Sequence, residues 1–254
     1  MARGLQLKKI GKRFGDFWAV RNVTCRIFSG KITGFIGPNG AGKTTLFSVI
    51  TGDLRPDTGS VLLDGEDITG LKPWAIARKG IGKLYQDVRI FKNLRVIDNV
   101  VVSLLSPKEE SPFRALSNFY KLKSLWSQKA EEAMKWLEFV GLADDREKKA
   151  LELSFGQQKL LSFARLMAAG FDILLLDEPT AGIHPKMIHK IEEILIKLVE
   201  EENKTIAIIE HNMSVIASLA YWVNFMTEGE ITFSGRTDHV LGDENVRKIY
   251  MGIL

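Results

Sequence analysis

The sequence predicts an α/β protein with a helical subdomain inserted into its core. An apolar run at residues 173–176 shows no alternation, which is typical of a strand buried on both faces of a sheet. Apolar side chains recur at helical spacing over residues 188–198, with glutamates between them, and predict an amphipathic helix packed on that sheet. Because strand and helix alternate at both ends of the chain, we expect an α/β core.

The predicted strands lie on both sides of a mostly helical middle section. Residues 103–127 interrupt the helical pattern with prolines and serines, and residues 238–250 predict a closing helix. The predicted core spans residues 1–95 and 170–254, and the inserted helical subdomain spans residues 96–169. One apolar face of the helical section is formed by Ala130, Met134, Leu137 and Val140. The apolar, β-rich runs are residues 5–10, 23–28, 32–36, 61–63, 173–176 and 205–209.

Composition and charge limit what the chain can be. Its 254 residues, 45% hydrophobic and 26% charged, exclude a disordered, collagen-like or disulfide-scaffold protein. A net charge of +4 permits an anionic partner without requiring one. The single cysteine, Cys25, cannot form an internal disulfide, and no apolar run has the length of a membrane span or the pattern of a signal peptide. We therefore expect a cytoplasmic protein.

A glycine-rich loop follows the predicted strand at residues 32–36. Residues 37–44 match the phosphate-loop pattern G-x-x-x-x-G-K-[ST] in full, and a helix-compatible run follows. Backbone N–H groups and the helix N-terminus would face phosphate oxygens, Lys43 would bridge the β- and γ-phosphates, and the Thr44 hydroxyl would hold Mg²⁺. The alternative is a glycine-rich turn that binds nothing. The predicted nucleotide-binding residues here are Gly37, Pro38, Asn39, Gly40, Ala41, Gly42, Lys43, Thr44 and Thr45.

Two carboxylates end the buried strand at residues 173–176. Asp177, at the carboxyl end of the strand, would reach Mg²⁺, and Glu178 would polarise the attacking water as a general base. A turn-starting acidic pair on the surface is the alternative. Together with the phosphate loop, this pair predicts binding of a Mg²⁺–nucleoside triphosphate and its hydrolysis.

A hexapeptide between these two sites points to a family. Residues 153–158, Leu-Ser-Phe-Gly-Gln-Gln, precede a helical run, and the sequence closely resembles the ATP-binding-cassette (ABC) ATPases, whose signature is L-S-G-G-Q. The resemblance implies an ABC ATPase fold with an antiparallel β subdomain, and a γ-phosphate held by Ser154, Gly156 and Gln157 with the following helix N-terminus. Phe155 departs from the usual glycine, but a side chain at that position can point away. An N-capping serine near a glycine is the alternative.

Further motifs follow in the order that this family has. Gln86 matches the glutamine loop that touches Mg²⁺ or the attacking water, and His211 matches the switch histidine that contacts the γ-phosphate. Residues 181–185 occupy the D-loop position, where His184 replaces the common aspartate or asparagine. Taken alone, the glutamine would be a surface residue and the histidine a structural one.

The resemblance also implies an adenine-binding side to the site. Phe14 lies where the family stacks an aromatic ring on adenine, and Val20 would back the same ring. Trp18 lies close enough to be mistaken for the stacking residue. An ordinary core aromatic is the alternative for Phe14.

Full-length resemblance implies that two cassettes bind head to tail around ATP. The phosphate loop of one chain would then face Ser154 of the other, so that a lone chain holds two half-sites. One phosphate loop and one signature exclude a fused tandem cassette. We therefore expect a separate, cytoplasmic ATPase subunit bound peripherally to the inner face of the cell membrane through two permease subunits.

Finer features resemble the ATPases of branched-chain amino acid importers. These features are the glutamine-loop region, the insertion at residues 103–127, the aromatic-Gly-Gln-Gln signature and the ending at residues 246–252. The long insertion favours the subunit with the extended helical subdomain. The resemblance implies an identical or paralogous second cassette and, indirectly, a substrate-binding protein. The open alternatives are a urea or amide importer, a lipopolysaccharide exporter and a non-transport regulatory or nucleic-acid-linked ATPase.

Three apolar residues after Gln86 give a hypothesis about the permease. Val88, Ile90 and Phe91 are too apolar for a free loop, and they would help to line a docking groove for a short permease helix. The alternative is that they belong to the core of the helical subdomain.

Overall fold

A computed structural model describes residues 2–105 and 119–251. The described residues fall into two compact units. The first unit contains residues 2–86, 171–181 and 189–251, and the second contains residues 87–105, 119–170 and 182–188. The central part of the predicted insertion therefore lies outside the described residues.

The strands and helices of the described residues are as follows. The strands are β1 (Leu5–Phe14), β2 (Phe17–Ile27), β3 (Ile32–Ile36), β4 (Thr58–Leu63), β5 (Glu66–Asp67), β6 (Ile81–Leu84), β7 (Ile173–Asp177), β8 (Thr205–Ile209), β9 (Trp222–Thr227) and β10 (Glu230–Arg236). The helices are α1 (Lys43–Ile50), α2 (Pro73–Arg78), α3 (Val96–Ser103), α4 (Phe119–Val140), α5 (Phe155–Ala168), α6 (Pro185–Glu200), α7 (Met213–Leu219), α8 (Thr237–Gly242) and α9 (Glu244–Met251). None of the helices in residues 2–105 and 119–251 is both long and apolar enough to cross a membrane.

The first unit contains two sheets. The six-stranded sheet has the order β10-β9-β3-β8-β7-β6, in which only the β9–β10 pair is antiparallel. All residues of β3, β7 and β8 are buried, as expected for parallel strands covered on both faces. The four-stranded sheet, β2-β1-β4-β5, is antiparallel throughout. The predicted α/β class with an antiparallel β subdomain is confirmed.

One apolar core joins both sheets to α1. Leu7 of β1, Phe35 of β3, Phe47 of α1 and Leu175 of β7 are all fully buried members of this core. The rings of Phe35 and Phe47 meet edge to face, with centroids 5.6 Å apart. Burial of α1 against both sheets fixes its N-terminus, where the phosphate loop ends.

Helices α3, α4 and α5 pack together in the second unit. Leu137 and Val140 of the predicted apolar face of α4 are buried, whereas Ala130 and Met134 are only partly buried. Fully buried Ala133, one turn before Leu137, completes this face.

The predicted closing helix at residues 238–250 is wrong as a single element. The structure divides this stretch into α8 and α9, with Asp243 between them. Oδ1 of Asp243 accepts hydrogen bonds from the backbone N–H groups of Asn245 and Val246, at 2.8 and 3.1 Å. This local capping satisfies the first amides of α9 and starts a new helix.

Cys25 of β2 is expected to react slowly with thiol reagents. Burial raises the pKa of its thiol to about 12, so little reactive thiolate exists near neutral pH. We expect alkylation by iodoacetamide at pH 7.5 to be roughly 10- to 100-fold slower than that of a free cysteine thiol, because the higher nucleophilicity of a more basic thiolate offsets part of the loss of thiolate. The same reaction in concentrated guanidinium chloride is the control and should proceed at the free-thiol rate. Equal rates in both solvents would contradict the expectation.

Candidate active site

The phosphate loop connects β3 to α1 in a conformation that requires glycine. Gly37, Gly40 and Gly42 have φ values of 143°, 80° and 93°, which residues with a Cβ atom rarely adopt. A Cβ on Gly37 would lie 2.0 Å from the carbonyl oxygen of Met226, and one on Gly42 would lie 2.1 Å from that of Ala19. The sequence pattern therefore reflects both backbone conformation and close contact with β9 and β2.

A cavity of about 360 Å³ opens beside this loop. It is lined by ten of the residues predicted for the site and by two further residues, Phe17 and Ala19, which no sequence motif indicated. The lining residues are Phe14, Phe17, Ala19, Asn39, Gly40, Ala41, Gly42, Lys43, Thr44, Thr45, Glu178 and His211. The structure thus brings most of the predicted phosphate-binding and catalytic residues of the first unit, and Phe14, to one place, whereas Val20, Gly37, Pro38 and Gln86 do not line the cavity.

Lys43, the first residue of α1, points back into its own loop. Its Nζ donates hydrogen bonds to the carbonyl oxygens of Gly37 and Pro38, at 2.8 and 2.9 Å. Burial lowers the pKa of Lys43, and the charges of Glu178 and Asp177 act in the opposite direction. A cation in this position suits the phosphates of a nucleotide bound in the cavity.

Thr44 and Asp177 together form a candidate metal site. The Thr44 hydroxyl donates to Oδ1 of Asp177 at 3.4 Å, and Asp177 is buried at the carboxyl end of β7. Burial raises the pKa of Asp177, the Lys83 ammonium opposes this effect, and the charge of Glu178 adds to it. A hydroxyl and a carboxylate are hard oxygen donors, so this pair fits Mg²⁺ supplemented by phosphate oxygens and water.

Three predicted catalytic residues meet at the carboxylate of Glu178. Nε2 of Gln86 donates to one carboxylate oxygen at 2.9 Å, and Nε2 of His211 lies 2.9 Å from the other. Glu178 itself has a φ of 50°, a left-handed backbone conformation that is disfavoured for a residue with a Cβ atom. Strain of this kind concentrates at functional sites, where surrounding contacts maintain it.

Of the two residues expected around adenine, Phe14 lines the cavity and Val20 does not. Phe14, at the end of β1, is exposed, and Nζ of Lys12 lies 5.7 Å from its ring centroid. Val20 is instead fully buried in the apolar core, because its side chain points to the inner face of β2. The adjacent Ala19 lines the cavity, as does exposed Phe17. Val20 therefore does not line the cavity and Ala19 does, while contact of either residue with an adenine ring stays a prediction.

The signature residues begin α5 in the second unit. Ser154 is the N-cap: its hydroxyl accepts from the Gln157 backbone N–H at 3.3 Å, and the Gln157 side chain accepts from the Ser154 N–H at 3.0 Å. Phe155 is half-exposed, and Nζ of Lys159 lies 5.5 Å from its ring centroid. A Cβ on Gly156 would come within 3.2 Å of Met187.

His184, which stands in the D-loop where the family commonly has aspartate or asparagine, caps a helix in the second unit. Its Nδ1 accepts a hydrogen bond from the backbone N–H of Lys186 at 3.3 Å. Its carbonyl oxygen accepts from the N–H of Met187 at 2.8 Å. The same carbonyl also accepts from the N–H of Ile188 at 3.3 Å, so His184 satisfies three amides in the first turn of α6, as an N-terminal capping residue does.

This fold and cavity define the class of protein. A parallel sheet carries a glycine-rich loop, a lysine and a threonine at one strand end, and an Asp-Glu pair at another, as in P-loop nucleoside triphosphatases. The family described as "ABC transporter" matches residues 20–181. The chain therefore belongs to the ABC transporter family, and it is an ATP-binding and ATP-hydrolysing cassette.

Relatives with named functions match the chain along nearly its full length. The high-affinity branched-chain amino acid transport ATP-binding protein LivG of Escherichia coli (strain K12) is 33% identical, over 98% of this chain and 97% of its own. The probable branched-chain amino acid transport ATP-binding protein LivG of Methanocaldococcus jannaschii is 36% identical, with the same coverage. A nucleotide-free cassette of an ABC transporter has a TM-score of 0.84, with 34% identity over 98% of both chains. An ABC transporter cassette in its ADP conformation also has a TM-score of 0.84, with 33% identity over 99% of this chain and 100% of that one.

Proposed function

We propose that the chain is the ATPase subunit of an importer for branched-chain or related amino acids, acting through separate permease subunits. The observation that carries this proposal is the identity of 33–36% to LivG proteins over 98% of the chain. Such coverage includes the helical unit as well as the nucleotide site. The chain would act at the cytoplasmic face of the membrane, bound peripherally to the permeases, and the resemblance to LivG proteins supports this location.

The residues of the first unit have distinct roles in the proposed reaction. Phe14 and Ala19 contact the adenine, while the loop amides and Lys43 bind the phosphates. Glu178 takes a proton from the attacking water as the new bond to the γ-phosphorus forms and the bond to the ADP oxygen breaks. His211 and Gln86 hold the Glu178 carboxylate in place.

Thr44, Asp177 and Gln86 are the residues that would hold Mg²⁺. When bound, the ion would neutralise charge on the phosphates, which is the usual contribution of Mg²⁺ to phosphoryl transfer. The burial of Asp177 supports this role, because a bound divalent cation would add to the charges of Lys83 and Lys43 in stabilising a buried carboxylate.

Two chains would form the complete site. The phosphate loop lies in the first unit and Ser154 in the second, and the family resemblance pairs them across a head-to-tail dimer of identical or paralogous cassettes. ATP would close the dimer and hydrolysis would reopen it, with the motion passed to the permeases through the helical units.

The first experiment identifies what the chain binds. Tagged Glu178→Gln protein with ATP would be used to capture partners from detergent-solubilised membranes of the host. Two multi-spanning permeases and a second cassette support the proposal, and the ligand of the associated binding protein then distinguishes amino acids from urea or amides. Recovery of lipopolysaccharide-export components, or of nucleic acid without membrane proteins, would overturn it.

Phe91 offers a defined test of permease docking. Its backbone N–H donates to buried Asn99 at 2.8 Å, and the Arg165 guanidinium lies 4.9 Å from its ring centroid. The residue nevertheless remains 47% exposed, which argues against the alternative that it belongs to the helical core. A fixed, exposed aromatic ring suits a contact with a partner.

We expect Phe91→Glu to reduce permease recovery by about tenfold while ATP binding and thermal stability stay unchanged. Phe233→Glu is the matched control, since Phe233 on β10 is 40% exposed and should tolerate the same change. Unfolding of the Phe91 variant alone would favour the core alternative. Equal permease recovery by both variants would overturn the docking role.

A further inference from the structure

Glu210 is a buried acidic residue between β8 and His211. Its side chain is only 3% exposed. Oε1 accepts hydrogen bonds from the backbone N–H and the hydroxyl of Thr180, at 2.8 and 2.6 Å. Oε2 accepts from the backbone N–H of His211 at 3.2 Å. One carboxylate therefore connects the loop that carries Glu178 to the loop that carries His211.

The loop held by Glu210 is the one in which Glu178 has its left-handed backbone conformation. The Glu178 N–H donates to the Ile209 carbonyl at 2.9 Å, and the Ala181 N–H donates to the Glu178 carbonyl at 3.2 Å. Thr180 belongs to the turn that these two hydrogen bonds fix, and the Glu210 carboxylate holds the same turn at Thr180. Hydrogen bonds buried from water hold a strained turn more firmly than exposed ones do.

We propose that Glu210 is a positioning residue that fixes the Glu178 carboxylate relative to His211 during ATP hydrolysis. It contacts neither the Glu178 nor the His211 side chain directly, but acts through the backbone and hydroxyl of Thr180 and the backbone of His211. The inference rests on the roles proposed above for Glu178 and His211. It adds a buried hydrogen-bonding unit, Glu210 with Thr180, that lies outside the family motifs.

Glu210→Gln keeps the size of the side chain but replaces one acceptor oxygen by an amide NH₂. That NH₂ group must then face a donor, either on Thr180 or on His211. Because small displacements of catalytic groups are costly, we expect kcat to fall roughly 10- to 100-fold. KM for ATP and the affinity for a fluorescent ATP analogue should stay within about twofold of the wild-type values.

Thr180 provides a matched pair of variants that leaves Glu210 intact. Thr180→Val removes only the hydroxyl donor, whereas Thr180→Ser keeps it. We expect kcat to fall for the valine variant and to stay near the wild-type value for the serine variant, with unchanged ATP affinity in both. This pair decides the question even if Glu210→Gln does not fold.

Unchanged kcat in Glu210→Gln and Thr180→Val would overturn the proposal. So would a parallel loss of kcat, ATP affinity and Tm, or an equal loss in Thr180→Ser, because either result indicates a general structural role. Glu178→Gln, measured alongside, tests the base itself. A fully active Glu178→Gln would refute the proposed chemistry rather than the positioning by Glu210.

Discussion

Glu178→Gln is expected to lower kcat for ATP hydrolysis by about 10²- to 10⁴-fold, because an amide cannot accept the proton of the attacking water. ATP binding should survive, since the amide has the same size and can still meet Gln86 and His211. With hydrolysis blocked, an ATP-bound dimer should accumulate. Sedimentation velocity with Mg²⁺–ATP would detect it as a species of twice the monomer mass.

A second carboxylate on the same unit provides the control for this substitution. Glu193 lies exposed on α6, so Glu193→Gln makes the same change of charge away from the cavity and should leave kcat and dimerisation unchanged. ADP in place of ATP should leave the Glu178 variant monomeric. A Glu178→Gln protein that stays monomeric with ATP would count heavily against a head-to-tail dimer.

Gly42→Ala is expected to abolish nucleotide binding and to destabilise the fold. The added Cβ would lie 2.1 Å from the Ala19 carbonyl oxygen, which belongs to the backbone of β2 and cannot rotate away. We expect the free energy of unfolding to fall by about 4 kcal/mol or more. Urea denaturation and the binding of a fluorescent ATP analogue would measure the two effects.

Gly65→Ala separates the steric overlap from backbone strain. Gly65 has a φ of 89°, close to the 93° of Gly42, but a Cβ there would meet nothing within 4 Å. This variant should lose only about 1–2 kcal/mol, the cost of a left-handed conformation. It should also bind nucleotide normally. Similar losses for both variants would show that the contact with Ala19 does not matter.

Much of the candidate site could be predicted because its motifs are local. The phosphate loop, the Asp177–Glu178 pair and the capping Ser154 each depend on a short stretch with a fixed strand or helix beside it. Val20 is indicated by the family resemblance alone, and a local motif does not tell which face of β2 lies on the cavity. Its neighbour Ala19 faces the cavity instead.

Other features could not be found from sequence because they depend on distant segments. The bond between Glu210 and Thr180 joins residues 30 positions apart, and nothing in either local pattern indicates it. The left-handed conformation of Glu178 is likewise set by its surroundings, since no glycine marks it. The break at Asp243 is different, because a glycine followed by an aspartate is a local signal for a helix end and a new N-cap, and the sequence alone could have shown it.

Because the phosphate loop makes close backbone contacts, substitutions outside the glycine-rich motif should also impair ATP binding. Gly37 packs on the Met226 carbonyl and Gly42 on the Ala19 carbonyl. The Ala41 carbonyl also accepts from the Gly229 N–H, at 3.2 Å, in the β9–β10 turn. A screen for loss of nucleotide binding should therefore recover substitutions in β2 and the β9–β10 hairpin that shift the main chain. Those positions would look like ordinary strand residues in any comparison restricted to motifs.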